Sequence, residues 1–72
     1  MKESVVTEEE YLEMLRKNYK KMLLNKGMTA KELGISEATL DRLRNLGDIS
    51  SKKVLGRIMF SIDEIARFLA DA

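Results

Sequence analysis

Apolar residues recur at helical spacing over the first third of the chain. The acidic residues of this stretch come first and the basic residues follow, an order that complements the dipole of a helix. The pattern predicts a long amphipathic helix, helix A, over residues 8–25. Its apolar stripe is formed by four residues at intervals of three and four positions: Leu12, Leu15, Tyr19 and Met22. The stripe can either pack on the chain's own core or form a homodimer contact.

Serine and threonine residues mark the predicted starts of four helices. A hydroxyl at the N-cap accepts a hydrogen bond from the first helical turn, and a glutamate three residues later completes a capping box. The predicted caps are Thr7, Thr29, Ser36 and Ser61, and all but Ser36 have that glutamate. Helices are expected to end before Gly27, Gly34 and Gly47. The remaining helices are therefore a short helix B over 30–33, helix C over 37–46, and helix D from 62 to about residue 70.

The segment between Gly47 and Ser61 has a different pattern. Two short β-prone runs flank Gly56, which predicts a β-hairpin. The fold class is thus mainly α with a small β-hairpin wing. With 72 residues the chain forms one compact domain, in which we distinguish an N-terminal amphipathic helix (1–27), for packing or dimerisation, from a second module (28–72).

Helices B and C are joined by a three-residue link that contains Gly34, as in a helix-turn-helix. Leu40 and Leu43 lie on one side of helix C, and the opposite side carries Ala38, Asp41, Arg42 and Asn45. Arginine can bind guanine and asparagine can bind adenine in the major groove. Asp41 would repel phosphate unless it accepts from cytosine or pairs with a basic neighbour. The alternative, an ordinary solvated helix face, stays open here.

Composition narrows the possible functions. The chain has no histidine and no cysteine, which excludes disulfides, thiolate metal sites and Ser-His-Asp triads. We therefore expect no enzymatic activity and neither a cofactor nor a metal. The net charge is +1, but residues 29–60 carry six basic and four acidic side chains. No signal peptide or membrane-length apolar run is present, so we expect a cytoplasmic protein with no membrane partner.

Residues 28–70 resemble the winged helix-turn-helix domains of excisionases and MerR-type regulators. The resemblance implies a winged helix-turn-helix fold, here with an extra long N-terminal helix. It rests on the order of short motifs: Glu32-Leu33, then the Ser36 cap with Thr39-Leu40, then Gly47-Asp48-Ile49, the Gly56-Arg57 wing, and the capped last helix.

The family also implies roles for individual residues. Ser36, Ala38, Thr39 and Arg42 match positions that face the major groove or its phosphates, and Arg57 matches a wing residue that reaches the minor groove or backbone. Lys52 and Lys53 lie at the base of the wing, where phosphate contacts are common. From the residues themselves we add Asn45 as a base contact and Lys31 and Arg44 as phosphate contacts.

These features predict sequence-specific binding of double-stranded DNA, with a reader helix in the major groove and a wing in the adjacent minor groove. The protein would act as a small transcriptional regulator or an excisionase-like factor of a prokaryote or phage. It would bind as a dimer, in cooperative copies, or with a recombinase or polymerase partner. Two alternatives remain: a protein–protein interaction module that uses the winged-helix surface, and a DNA-binding domain of the DNA-packaging terminase type.

Overall fold

The computed structural model describes residues 6–71, which form four helices and a three-stranded antiparallel sheet. The chain is mainly helical, as the sequence predicts. The elements in chain order are α1 (Glu8–Tyr19), β1 (Leu23–Asn25), α2 (Lys26–Leu33), α3 (Glu37–Asn45), β2 (Lys52–Val54), β3 (Arg57–Ser61) and α4 (Ile62–Asp71).

The first helix is shorter than predicted. It ends at Tyr19, where Lys20 takes a left-handed conformation (φ 54°) and donates its backbone N–H to the carbonyl of Arg16. The expected extension to residue 25 is wrong because the chain turns there into β1. Leu24 of this strand lies opposite Phe60, and both side chains are fully buried. Pairing with a distant strand thus overrides a helical periodicity that continues through Leu23.

The second helix begins earlier than predicted. Asn25 is its N-cap, and the Asn25 side chain accepts from the backbone N–H of Met28 at 2.7 Å. The prediction of a cap at Thr29 is wrong: Thr29 is buried inside α2, and its hydroxyl donates to the Asn25 carbonyl at 2.8 Å. Gly27 does not follow a helix but lies in the first turn of α2. The boundary drawn between residues 27 and 28 therefore falls inside a helix.

The other predicted helix starts are confirmed. Thr7 forms a complete capping box with Glu10. Ser36 accepts from the N–H of Thr39 and Ser61 from that of Glu64, each at 3.1 Å. The helices α3 and α4 differ from their predicted bounds by one residue at the C-terminal end. Gly34 and Gly47, which follow α2 and α3, have φ values of 71° and 83°.

The predicted hairpin is confirmed and belongs to a larger sheet. The strand order is β1-β3-β2, so β3 is central and pairs with both neighbours. The β2–β3 turn consists of Leu55 and Gly56, with φ values of 51° and 80°. Positive φ at both central residues is the signature of a type I′ turn, whose twist matches that of the strands.

The helices and the sheet share one hydrophobic core. Helix α1 packs against α4, and Leu15 of α1 is buried together with Phe60 and Ile65. Leu12 and Tyr19 also pack against this core, so the stripe of α1 stabilises the single chain. Of the four stripe residues only Met22 is largely exposed, at 59%. The homodimer itself stays a prediction.

Across residues 6–71, each helix is too short or too polar to cross a membrane.

Candidate nucleic-acid interface

Helix α3 is held by its apolar side and by a tight turn from α2. Leu40 is fully buried, and Leu43 packs against the core. The turn is closed by backbone hydrogen bonds, since the N–H of Ile35 donates to the carbonyl of Ala30 at 3.0 Å and that of Gly34 to Lys31 at 3.2 Å. Ser36 then starts α3 directly. The short, hydrogen-bonded link fixes the orientation of α3 relative to α2.

The side of α3 opposite Leu40 is open to solvent. Ala38, Arg42 and Asn45 are exposed in the single chain, and α1 does not cover them. A small residue near the helix start, followed by a guanidinium and an amide, leaves room for close approach and presents hydrogen-bonding groups beyond it. This arrangement is suited to contacts with base edges.

Ser36 and Thr39 are already engaged with one another. The Ser36 hydroxyl accepts from the backbone of Thr39 and donates to the Thr39 side-chain oxygen at 3.0 Å. The Ser36 oxygen is therefore used for capping. The hydroxyl hydrogen of Thr39 is not consumed by this pair, so Thr39 can still donate to an acceptor outside the protein.

Asp41 is neutralised by two cations within the chain. Its carboxylate lies 3.0 Å from the amino nitrogen of Lys26 on α2 and 3.3 Å from a guanidinium nitrogen of Arg44. The hydrogen bond from Lys26, together with that from Arg44, lowers the pKa of Asp41 below its ordinary value. The three side chains together carry one positive charge. The repulsion of phosphate that Asp41 would cause is therefore offset from within the fold.

Two of the predicted phosphate contacts, Arg44 and Lys31, have different surroundings. The Arg44 side chain is only 29% exposed, its terminal nitrogen is bound to Asp41, and its Nε is buried without a hydrogen-bond partner in the described structure. Lys31 is exposed in the last turn of α2. Arg44 is thus already paired with Asp41, whereas the exposed Lys31 is available to a ligand.

The hairpin carries three exposed cations, Lys52, Lys53 and Arg57, and no acidic residue. The register places Lys52 opposite Met59 and Val54 opposite Arg57, so these four side chains share one face. On that face Val54, Arg57 and Met59 line a shallow depression that reaches Leu55 at the turn. The basic residues are evident in the sequence, whereas their apolar neighbours on this face follow from the strand register.

An arginine on α4 fixes the segment between α3 and the hairpin. The Arg67 guanidinium donates to the backbone carbonyl of Asp48 at 2.9 Å and to both carboxylate oxygens of Glu64, at 2.7 and 3.0 Å. Glu64 also accepts from the backbone N–H of Ser50 at 2.9 Å. Arg67 and then Ser50 lower the pKa of Glu64, and Glu64 raises that of Arg67. This brace sets where the hairpin begins relative to α3.

The candidate interface thus has two parts, the open side of α3 and the basic hairpin, which make few contacts with each other. Known protein families, curated proteins and solved structures gave no match to this chain. Among the described residues no cluster of three or more carboxylates is arranged to hold a metal ion. The function of this chain is therefore inferred from the geometry of α3 and the hairpin.

Proposed function

We propose that this protein binds duplex DNA in a sequence-specific manner, with α3 in the major groove and the β2–β3 hairpin against the neighbouring minor groove. The observation that carries the proposal is the open side of α3, where Arg42 and Asn45 are exposed while Leu40 anchors the helix from the other side. A nine-residue helix is about 14 Å long, which suits a groove about 12 Å wide.

The charges near this surface support the same function. With Asp41 paired to Lys26 and Arg44, the acidic side chain on the open side of α3 no longer opposes a phosphate backbone. On α2, α3 and the hairpin, the cations left exposed are Lys31, Arg42, Lys52, Lys53 and Arg57. If all five contact phosphates or bases, the logarithm of the binding constant falls with the logarithm of salt concentration with a slope of about −4 to −5.

The order of elements is compatible with a winged helix-turn-helix. Helix α2, the turn at Gly34, α3 and the hairpin follow one another in the order that the family resemblance implies. A single module of this size buries about 600–1,000 Å² on DNA, so tight binding calls for cooperative copies or a partner such as a recombinase or polymerase. A small transcriptional regulator or an excisionase-like factor has these properties.

Selection from a random duplex library at low salt tests the proposal. The selected duplex is then used to compare Arg42→Ala with Arg16→Ala, which removes an exposed arginine from α1. Arg42→Ala is expected to weaken binding by about tenfold or more, because a bidentate base contact contributes about 1–3 kcal/mol. Arg16→Ala is expected to bind as the unchanged chain does. No recovery of a duplex, or an Arg42→Ala variant that binds normally, would reject the proposal and favour a protein-interaction module.

The Asp41 cluster provides a second test. Asp41→Asn removes the charge that holds Lys26 and Arg44, which frees both for phosphate contacts. We expect its salt slope to become steeper by up to about 2. The matched control is Asp63→Asn on α4, which deletes an exposed carboxylate away from α3 and is expected to leave the slope unchanged. Equal slopes for both variants would show that the cluster does not face the DNA.

A further inference from the structure

The turn at the tip of the hairpin holds a residue type that is unusual for its backbone conformation. Leu55 occupies the first central position of the turn with φ 51°, a left-handed conformation that type I′ turns usually assign to asparagine, aspartate or glycine. Its side chain is 98% exposed, so no contact within the described chain compensates for the conformation. A strained residue without a structural partner indicates a role in contact with another molecule.

The surroundings of Leu55 indicate the chemistry of that molecule. Arg57 directly follows the turn, Lys53 lies two residues before Leu55 on the opposite face of the hairpin, and Lys52 lies at the base of β2. Residues 49–62 contain no acidic side chain. The exposed apolar group thus stands at the end of a cationic hairpin, which suits a polyanion with an apolar interior. Duplex DNA meets this description, because its stacked bases lie between two rows of phosphates. A lone leucine offers little apolar area for anchoring to a lipid surface.

We infer that Leu55 is an apolar wedge that enters the minor groove and partly unstacks a base step, while Arg57 and the two lysines hold the flanking phosphates. This inference rests on the proposed DNA binding and adds a bend in the DNA to it. Inserted apolar side chains kink a duplex toward the major groove, and pyrimidine–purine steps yield most easily. The hairpin therefore selects DNA with easily deformed base steps, and this selectivity is separate from the base contacts of α3.

The decisive variant is Leu55→Asn, because it removes the wedge and improves the turn. Asn-Gly is the preferred pair in a type I′ turn, so thermal stability is expected to stay equal or rise. The DNA probe is the duplex recovered by selection, with a fluorescent adenine analogue at its pyrimidine–purine steps. The unchanged chain is expected to raise this fluorescence. It is also expected to bend the duplex, which is measured by gel mobility of complexes with circularly permuted DNA fragments. Leu55→Asn is expected to lose both signals and to bind about tenfold more weakly.

Matched controls separate this inference from the proposed function. Met14→Gln removes an exposed apolar side chain from α1, away from the hairpin, and is expected to retain both signals. Arg42→Ala is expected to weaken binding while the residual complexes still bend the duplex. If Leu55→Asn binds and bends DNA as the unchanged chain does, the wedge is rejected while the DNA-binding function stands. Binding to anionic lipid vesicles is measured in parallel, and if Leu55→Asn loses only this binding while it keeps both DNA signals, the wedge is likewise rejected. If the unchanged chain binds no duplex, both proposals fail.

Discussion

At the level of single residues, short polar side chains compete to start a helix, and the outcome depends on where the strand before it ends. Thr29 has the better sequence signature, because Glu32 follows it by three residues. Asn25 forms the cap in the structure, since β1 ends there and the chain can turn directly into α2. Glu32 instead accepts a hydrogen bond from the hydroxyl of Tyr19 at 2.6 Å, which joins α2 to α1.

The cap at Asn25 can be measured by substitution. Asn25→Ala removes the acceptor for the backbone N–H of Met28 and is expected to lower the free energy of unfolding by about 1 kcal/mol. Asn25→Asp keeps an acceptor at the same place and is expected to retain most of the stability. Urea denaturation of the three proteins provides the comparison. A cost for Asn25→Asp as large as that for Asn25→Ala would show that the side-chain acceptor is not what stabilises the start of α2.

Acid is expected to destabilise the fold through Glu64 and Asp41. Arg67 and Lys26, respectively, are the main causes that lower these two pKa values in the folded chain from 4.5 and 3.8. A lowered pKa means that the unfolded chain binds the proton more readily. The stabilisation is therefore complete above the unfolded pKa and is lost as the pH falls through the folded pKa.

Urea unfolding at a series of pH values below about 5 checks this dependence. The free energy of unfolding is expected to fall as the pH falls in the unchanged chain. It is expected to fall less steeply in Glu64→Gln, because glutamine at position 64 does not titrate. Glu9→Gln removes an exposed carboxylate from α1 and is the control. Identical pH dependences for Glu64→Gln and the unchanged chain would contradict the prediction.

At the level of elements, the segment between α3 and β2 depends on α4 for its position. Arg67 and Glu64 bind the backbone at Asp48 and Ser50, whereas Asp71 is a more exposed additional partner of Arg67, at 2.8 Å. The segment is held at its other end by α3, because the backbone N–H of Asp48 donates to the carbonyl of Leu43 at 2.9 Å. The placement of the hairpin relative to α3 therefore depends on α4 as well as on the end of α3.

Hydrogen exchange tests the brace. Arg67→Ala removes the donor to the Asp48 carbonyl and releases Glu64, so the backbone amide of Ser50 is expected to exchange faster. Asp71→Asn removes only the outer partner and is expected to leave that amide as protected as before. Amide exchange followed by NMR resolves the two. Unchanged protection of Ser50 in Arg67→Ala would show that the brace does not hold the segment.

At the level of the whole molecule, the N-terminal helix is part of the core rather than an appendage. A chain of 72 residues has a total stability of about 4–11 kcal/mol. Leu15 of α1 is 2% exposed and packs in the same cluster as residues of α4 and β3. Loss of this one contact region therefore affects a large part of the stability of the fold, including that of the candidate interface.

Two leucines with opposite environments provide the test. Leu15→Ala is expected to lower the free energy of unfolding by about 2–5 kcal/mol through lost burial and a residual cavity. Leu46→Ala alters a side chain that is 68% exposed. This variant is expected to change the free energy of unfolding by less than about 0.5 kcal/mol. Urea denaturation followed by circular dichroism measures both. Similar small effects would mean that α1 is dispensable for folding.

Local sequence patterns were sufficient to predict α3, α4, the hairpin and three of the four caps, because each depends on residues within a few positions of one another. It also marked the open side of α3 and the cations of the hairpin, whose proposed contacts with DNA stay predictions. Only the tertiary structure determined the strand at Leu24, the start of α2 at Asn25, the pairing of Lys26 with Asp41 and the brace at Arg67. The strand, the ion pair and the brace each join residues far apart in the chain, and their free energy arises from burial and charge pairing that exist only once the chain has folded. The cap at Asn25 is local, but it forms there because β1, paired with β3, ends at that residue.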